Sequence, residues 1–123
     1  MLQGIFGNAR EVDLASLQKD LAAVLVEGEQ LVEGYRIVRD LFIFTDRRLI
    51  LIDKQGVTGR KAEYHSIPYK SISHFSVETA GSFDMDAEMK IYISGNPNPY
   101  QREFARGTDI IGVQKTLAAF ILK

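Results

Sequence analysis

Residues 41–53 read LFIFTDRRLILID, and the reading of this stretch decides the fold. Two alternating apolar runs flank Asp46-Arg47, so the chain is expected to turn there and come back as an antiparallel hairpin. Side chains alternate across a strand, which places Phe42, Phe44, Leu49 and Leu51 on one side and Leu41, Ile43, Ile50 and Ile52 on the other. Both faces are therefore apolar, and neither can stay wet without becoming an association surface. One face lines a core. The other must be covered by the N-terminal helix or by another subunit; the sequence does not decide which face points outward, and Leu41, Ile43, Ile50 and Ile52 are the choice for the expected subunit contact.

The period of two continues outward from this hairpin. Seven strands are expected, at about 31–39, 41–46, 48–53, 61–66, 71–79, 83–94 and 100–106, which is the rhythm of an antiparallel sheet rather than of alternating strands and helices. In the sixth, Phe83, Met85, Ala87, Met89, Ile91 and Ile93 share a face, with Asp84, Asp86, Glu88, Lys90, Tyr92 and Ser94 on the other. Keeping Phe75 and Val77 of the fifth strand on the core face is expected to set Thr79 opposite Phe83 across an Ala80-Gly81-Ser82 loop. Glu78 then opposes Asp84, Ser76 opposes Asp86 and His74 opposes Glu88.

Helices are expected at both ends. Leu14, Leu17, Leu21, Val24 and Leu25 recur at helical spacing between about 11 and 26, with Asp13 as N-cap and Gly28 beyond the end. Ile110, Val113, Leu117, Phe120 and Ile121 repeat the pattern over about 109–122, where Thr108 is the expected cap and Asp109 suits the positive end of the helix dipole.

Composition narrows the function. At 123 residues the chain is expected to form a single domain, and its 15 basic against 16 acidic residues argue against a dedicated nucleic-acid binder. With no Cys there is no disulfide, thiolate zinc site or thiol nucleophile, and His65 and His74 lack a third ligand. No nucleophile elbow, phosphate loop, dinucleotide fingerprint or zinc-protease motif occurs, so no catalytic residue, metal or cofactor is expected. The longest apolar run, residues 21–26, is far below the roughly 20 residues of a membrane span, and residues 1–10 lack the features of a signal peptide. A cytoplasmic protein is expected.

Two surfaces stand out. Asp84-x-Asp86-x-Glu88 fails as a calcium loop, because Met89 and Gly95 stand where Gly and Glu are needed. Read as a strand face instead, His74, Glu78, Asp84, Asp86, Glu88 and Lys90 make either a solvated acidic face or a docking surface for Arg or Lys of a partner. Lys54, Arg60 and Lys61 bracket Gln55-Gly56-Val57-Thr58-Gly59, an alternative site for an anionic head group whose plain reading is a solvated turn.

The stretch FIFTDRRLILIDKQGVTGRKAEYHSIPYKSISHFSVETAG at 42–81, with FDMDAEMKIYISG at 83–95 and REFARGTDI at 102–110, resembles the bacterial pleckstrin-homology-like domain family. The resemblance implies a mainly β (α+β) fold: a partly open, seven-stranded antiparallel barrel capped by a C-terminal helix, here with an extra N-terminal helix. It also implies self-association into closed rings, pentamers being the expected size, and a polar surface for protein partners where strands of adjacent protomers meet. Lipid-binding members of the wider superfamily use a basic loop between the first two strands. Here that connection is about Arg39-Asp40, too short to wrap a head group, so membrane lipid is not an expected partner.

Overall fold

The computed structural model describes residues 13–37, 40–58, 60–83 and 85–122. The order is α1 (Leu14–Asp20), β1 (Leu31–Ile37), β2 (Asp40–Thr45), β3 (Arg48–Gln55), β4 (Lys61–Pro68), a 3-10 turn (Tyr69–Ser71), β5 (Ile72–Thr79), β6 (Ala87–Ile93), β7 (Tyr100–Phe104) and α2 (Ile110–Ile121). The fold is thus mostly antiparallel β with a helix near each end. The chain divides into two compact units between Ile67 and Pro68. Pro68 has no N–H to offer a ladder, and the turn that follows ends the pairing.

The first unit carries a four-stranded sheet in the order β1-β2-β3-β4. Its centre is the hairpin read from sequence, with Leu41 opposite Ile52, Phe42 opposite Leu51, Ile43 opposite Ile50 and Phe44 opposite Leu49. Phe42, Phe44, Leu49 and Leu51 are fully buried, and Phe44 meets the ring of Phe42 edge-on at 5.4 Å and that of Tyr35 at 6.5 Å. On the other face Leu41, Ile43, Ile50 and Ile52 are no more than 8% exposed, packed beneath Leu17 and Leu21. Of the two expected coverings the structure realises the helix. The four side chains named for a subunit contact are therefore interior positions, because the chain's own N-terminal segment removes them from water.

That helix is shorter than its pattern suggests. Asp13 caps it, accepting from the Ala15 amide at 3.2 Å, but regular helix ends at Asp20 and Leu21–Leu25 continue as turns. Gly28, at φ +85°, then reverses the chain in a conformation that costs other residues strain.

The second unit pairs its strands in the order β5-β6-β7. Here the expected register is corrected. Thr79 lies opposite Ala87, not Phe83, so Glu78 faces Glu88, Ser76 faces Lys90 and His74 faces Tyr92. The chain between β5 and β6 is no three-residue hairpin loop, because it folds on itself: the Ala80 amide bonds the Asp86 carbonyl at 3.1 Å and the Met85 amide bonds Ser82 at 3.1 Å. A slip of four is even, so each side chain keeps its face and Met89 and Ile91 still reach the core beside Val77 and Phe75. α2 buries Ile110, Val113 and Leu117, and Phe120 stacks on Tyr69 at 4.3 Å. Its N-cap is Asp109, whose carboxylate accepts from the Gly112 amide at 3.0 Å. Thr108, the expected cap, lies one residue outside the helix and is buried.

Candidate functional site

The outward face of β5-β6-β7 holds most of the sequence-derived surface. Alternation sends Phe75, Val77, Met89, Ile91 and Phe104 inward, which leaves Ser76, Glu78, Glu88, Lys90, Gln101 and Glu103 outside. Cross-strand pairing arranges these into rows. Glu78, Glu88 and Glu103 stand side by side on three strands, with Ser76, Lys90 and Gln101 in the next row. Among the described residues none of the three glutamates is in an ion pair. Directly opposed like charges are destabilising, so this row lowers the stability of the sheet slightly.

Beyond Lys90 the face turns aromatic. His74 stacks on Tyr92 with centroids 4.2 Å apart and planes 13° from parallel. The Ser73 hydroxyl lies 3.1 Å from His74 Nδ1 and donates to the Tyr92 carbonyl at 3.1 Å. The bulge between Ile72 and His74 brings Ser73 to this position.

Of the six residues expected here, His74, Glu78, Glu88 and Lys90 come together. Asp84 lies outside the described residues. Asp86 is exposed but engaged, its carboxylate accepting from the Arg106 amide at 2.8 Å and pinning the end of the β5-β6 loop. Glu103 and Tyr92 also lie on this face and are not among the six expected site residues. Tyr92 sat in the outward phase of the sixth strand, whereas Glu103 was hidden by Arg102, a charged residue on the inward phase of β7 that blurs the alternation.

The basic loop between β3 and β4 gathers little around it. Lys54 lies in β3 and its amide donates to Asp40 Oδ1 at 2.8 Å, while Arg60 and Lys61 are exposed. Val57 is fully exposed at the tip, next to Gly56 in a left-handed turn. Gly59 lies outside the described residues.

A third polar cluster escaped the sequence reading. Glu29 is 4% exposed, and its carboxylate receives Arg48 Nε at 2.9 Å and Nη2 at 2.8 Å, the Thr45 hydroxyl at 2.6 Å and the Val26 amide at 3.0 Å. Hydrogen bonding from Arg48 outweighs the cost of burial and holds the Glu29 carboxyl at about 2, while Glu29 in turn raises Arg48 above its usual value. Arg48 also reaches the Val24 carbonyl at 2.9 Å and Ser66 Oγ at 3.0 Å. Thr45 Oγ1 accepts the amides of Arg47 and Arg48, and Asp46 and Gln30 exchange two hydrogen bonds of 2.9 Å. The Thr45-Asp46-Arg47-Arg48 turn is thus a clamp on the segment leading out of α1. The buried Glu29 carboxylate and the Arg48 guanidinium are satisfied by their neighbours, which makes the cluster structural rather than a ligand site.

Among the described residues no group of three or more potential ligand side chains is placed to hold a metal ion, and no helix is long and apolar enough to cross a membrane.

Known proteins resemble this chain over nearly all of its length. The Bacillus subtilis (strain 168) protein YjqA, itself uncharacterised, is 53% identical over 119 residues, 96% of this chain and 95% of that protein. A crystal structure of a pleckstrin-homology domain from Shewanella amazonensis SB2B is 58% identical with a TM-score of 0.84, covering 98% of this chain and 97% of that one. That of a DUF1696 family protein with a pleckstrin-homology domain from Shewanella loihica PV-4 is 56% identical with a TM-score of 0.82, covering 91% and 96%. A family model described as "Bacterial PH domain" matches residues 1–121. With its two antiparallel sheets and C-terminal helix, the chain belongs to the bacterial pleckstrin-homology domain family.

Proposed function

We propose that this chain is a non-catalytic cytoplasmic adaptor, which self-associates into a closed ring and presents the outward face of β5-β6-β7 to a protein partner bearing Lys or Arg. The observation that carries this reading is the row Glu78-Glu88-Glu103, three like charges side by side with no ion pair among the described residues. A sequence under selection for stability alone would alternate the signs, and departures from local consistency gather at functional surfaces. Lys90 and the His74-Tyr92 stack border the row and give it an orientation. A ring would repeat the face and raise avidity even where each contact is weak.

Two measurements test it. Glu88→Gln should raise stability by about 0.5 kcal/mol in urea unfolding, because it relieves repulsion with both neighbours. A loss instead would mean that the row is compensated and carries no functional signal. A Lys-rich strand peptide should bind in a salt-sensitive way, and Glu78→Lys with Glu88→Lys should abolish that binding. Light scattering at several concentrations tests the ring; a strict monomer removes the ring and leaves the face.

A second reading attaches to Val57, a fully exposed apolar residue between Lys54 and Arg60. An apolar tip with basic flanks suits an anionic membrane surface. Co-sedimentation with anionic liposomes at low salt, abolished by Lys54→Glu with Arg60→Glu, would favour it; no binding removes it.

A further inference from the structure

The outermost strands of the two sheets are β1, β4, β5 and β7, and an unprotected sheet edge is a template for another chain. Three of these strands carry the usual protections. β1 is broken by a bulge between Leu31 and Glu33 and contains Gly34, β4 opens on Lys61 and closes on Pro68, and β7 has only five residues, with Pro97 and Pro99 ahead of it. β5 is different. Its eight residues, ISHFSVET, include no Lys, Arg, Pro or Gly, and its bulge between Ile72 and His74 leaves 75–79 regular. Among the described residues β5 pairs with β6 alone, and none of 73–79 is buried.

The ladder decides which backbone groups lie open. The Ala80 amide bonds the Asp86 carbonyl, so by the alternation of an antiparallel pair Glu78 and Ser76 also turn their N–H and C=O towards β6. Phe75, Val77 and Thr79 turn theirs the other way, and among the described residues nothing bonds them there.

We infer that the outer edge of β5 is a strand-addition site, where an extended segment of a partner protein pairs antiparallel with residues 75–79. The segment alternates apolar side chains, on the face of Phe75 and Val77, with polar ones on the face of Ser76 and Glu78. Glu78 selects Lys or Arg. The guest residue opposite it stands in a non-hydrogen-bonded pair, the closer kind, and continues the Glu78-Glu88-Glu103 row with the opposite charge. Backbone bonds supply affinity and the row chooses the partner. This inference rests on the acidic face of the proposed function and not on its ring, and it adds where the partner's chain runs.

The probes are an end-blocked peptide of alternating Val and Lys, and the same peptide N-methylated at every Val amide, which removes the donors that face β5. Amide hydrogen exchange measured by NMR reads the site. In the free chain the Phe75, Val77 and Thr79 amides should exchange fast and those of Ser76 and Glu78 slowly. The first peptide should slow the fast set several-fold, and the methylated one should bind roughly tenfold more weakly or worse. Equal binding of both peptides, or binding that leaves the fast set unprotected, overturns strand addition and leaves the acidic face as the docking surface. Absence of binding by either peptide also overturns it, and the charge row is then judged by the stability of Glu88→Gln alone. Protection of the fast set that rises with protein concentration in the absence of peptide would place a second copy on the edge and overturn the partner. Val77→Pro removes an outward donor and no bond to β6, so it should weaken the first peptide about tenfold with unchanged circular dichroism. Unaltered affinity in that folded variant overturns the site; should the variant fail to fold, the methylated peptide decides.

Discussion

Glu29 places a carboxylate where the residue is 4% exposed and keeps it charged, because Arg48, Thr45 and the Val26 amide all donate to it. Its carboxyl is lowered from 4.5 to about 2, so the folded state releases this proton more readily than the unfolded chain does. The associated stability is present above about 4.5 and is lost as pH falls from there towards 2. At neutral pH Glu29→Gln should lose about 3 kcal/mol, since it leaves Arg48 without its counter-charge. Urea unfolding of both proteins across that pH window should find the gap closing as the wild type acidifies; a constant gap would mean the pair contributes no charge-dependent stability. None of this was legible beforehand. Glu29 sits in an ordinary Gly28-Glu29-Gln30 turn, and its partner lies 19 residues away.

At the scale of elements, the strands and their faces followed directly from alternation, and six of the seven begin within one residue of where the pattern puts them. The exception is β6, which starts at Ala87 although the alternation begins at Phe83. A pattern of period two has the same face content after a slip of four, so it specifies the face and leaves the register to other forces. Those forces are tertiary: the Ala80–Asp86 carbonyl bond and the Asp86 carboxylate on the Arg106 amide define where the ladder starts. Asp86→Ala should therefore cost about 1 kcal/mol and speed hydrogen exchange at the Arg106 amide, measured by NMR. An unchanged exchange rate would show that the loop does not depend on this bond. The same register carries the candidate face, since it is Glu88, rather than Asp84, that stands between Glu78 and Glu103.

For the molecule as a whole, the decisive question was which body covers the second face of the ribbon. Ile43 and Ile50 are fully buried in one chain, so Ile43→Asp or Ile50→Asp should unfold the first unit rather than merely dissociate an assembly. Circular dichroism during urea titration measures this, with an expected loss of several kcal/mol; a folded, fully cooperative Ile43→Asp variant would show that the face tolerates water. The sequence by itself determined the mainly β class, the two-faced hairpin, the two helices and the family, because these depend on local period and on runs of residues adjacent in the chain. The tertiary structure alone decided that α1 closes the ribbon, that Glu78 meets Glu88, and that Glu29 meets Arg48. Each of these joins positions far apart in sequence, and a local pattern records only that a side chain needs a partner, leaving long-range packing to decide which one.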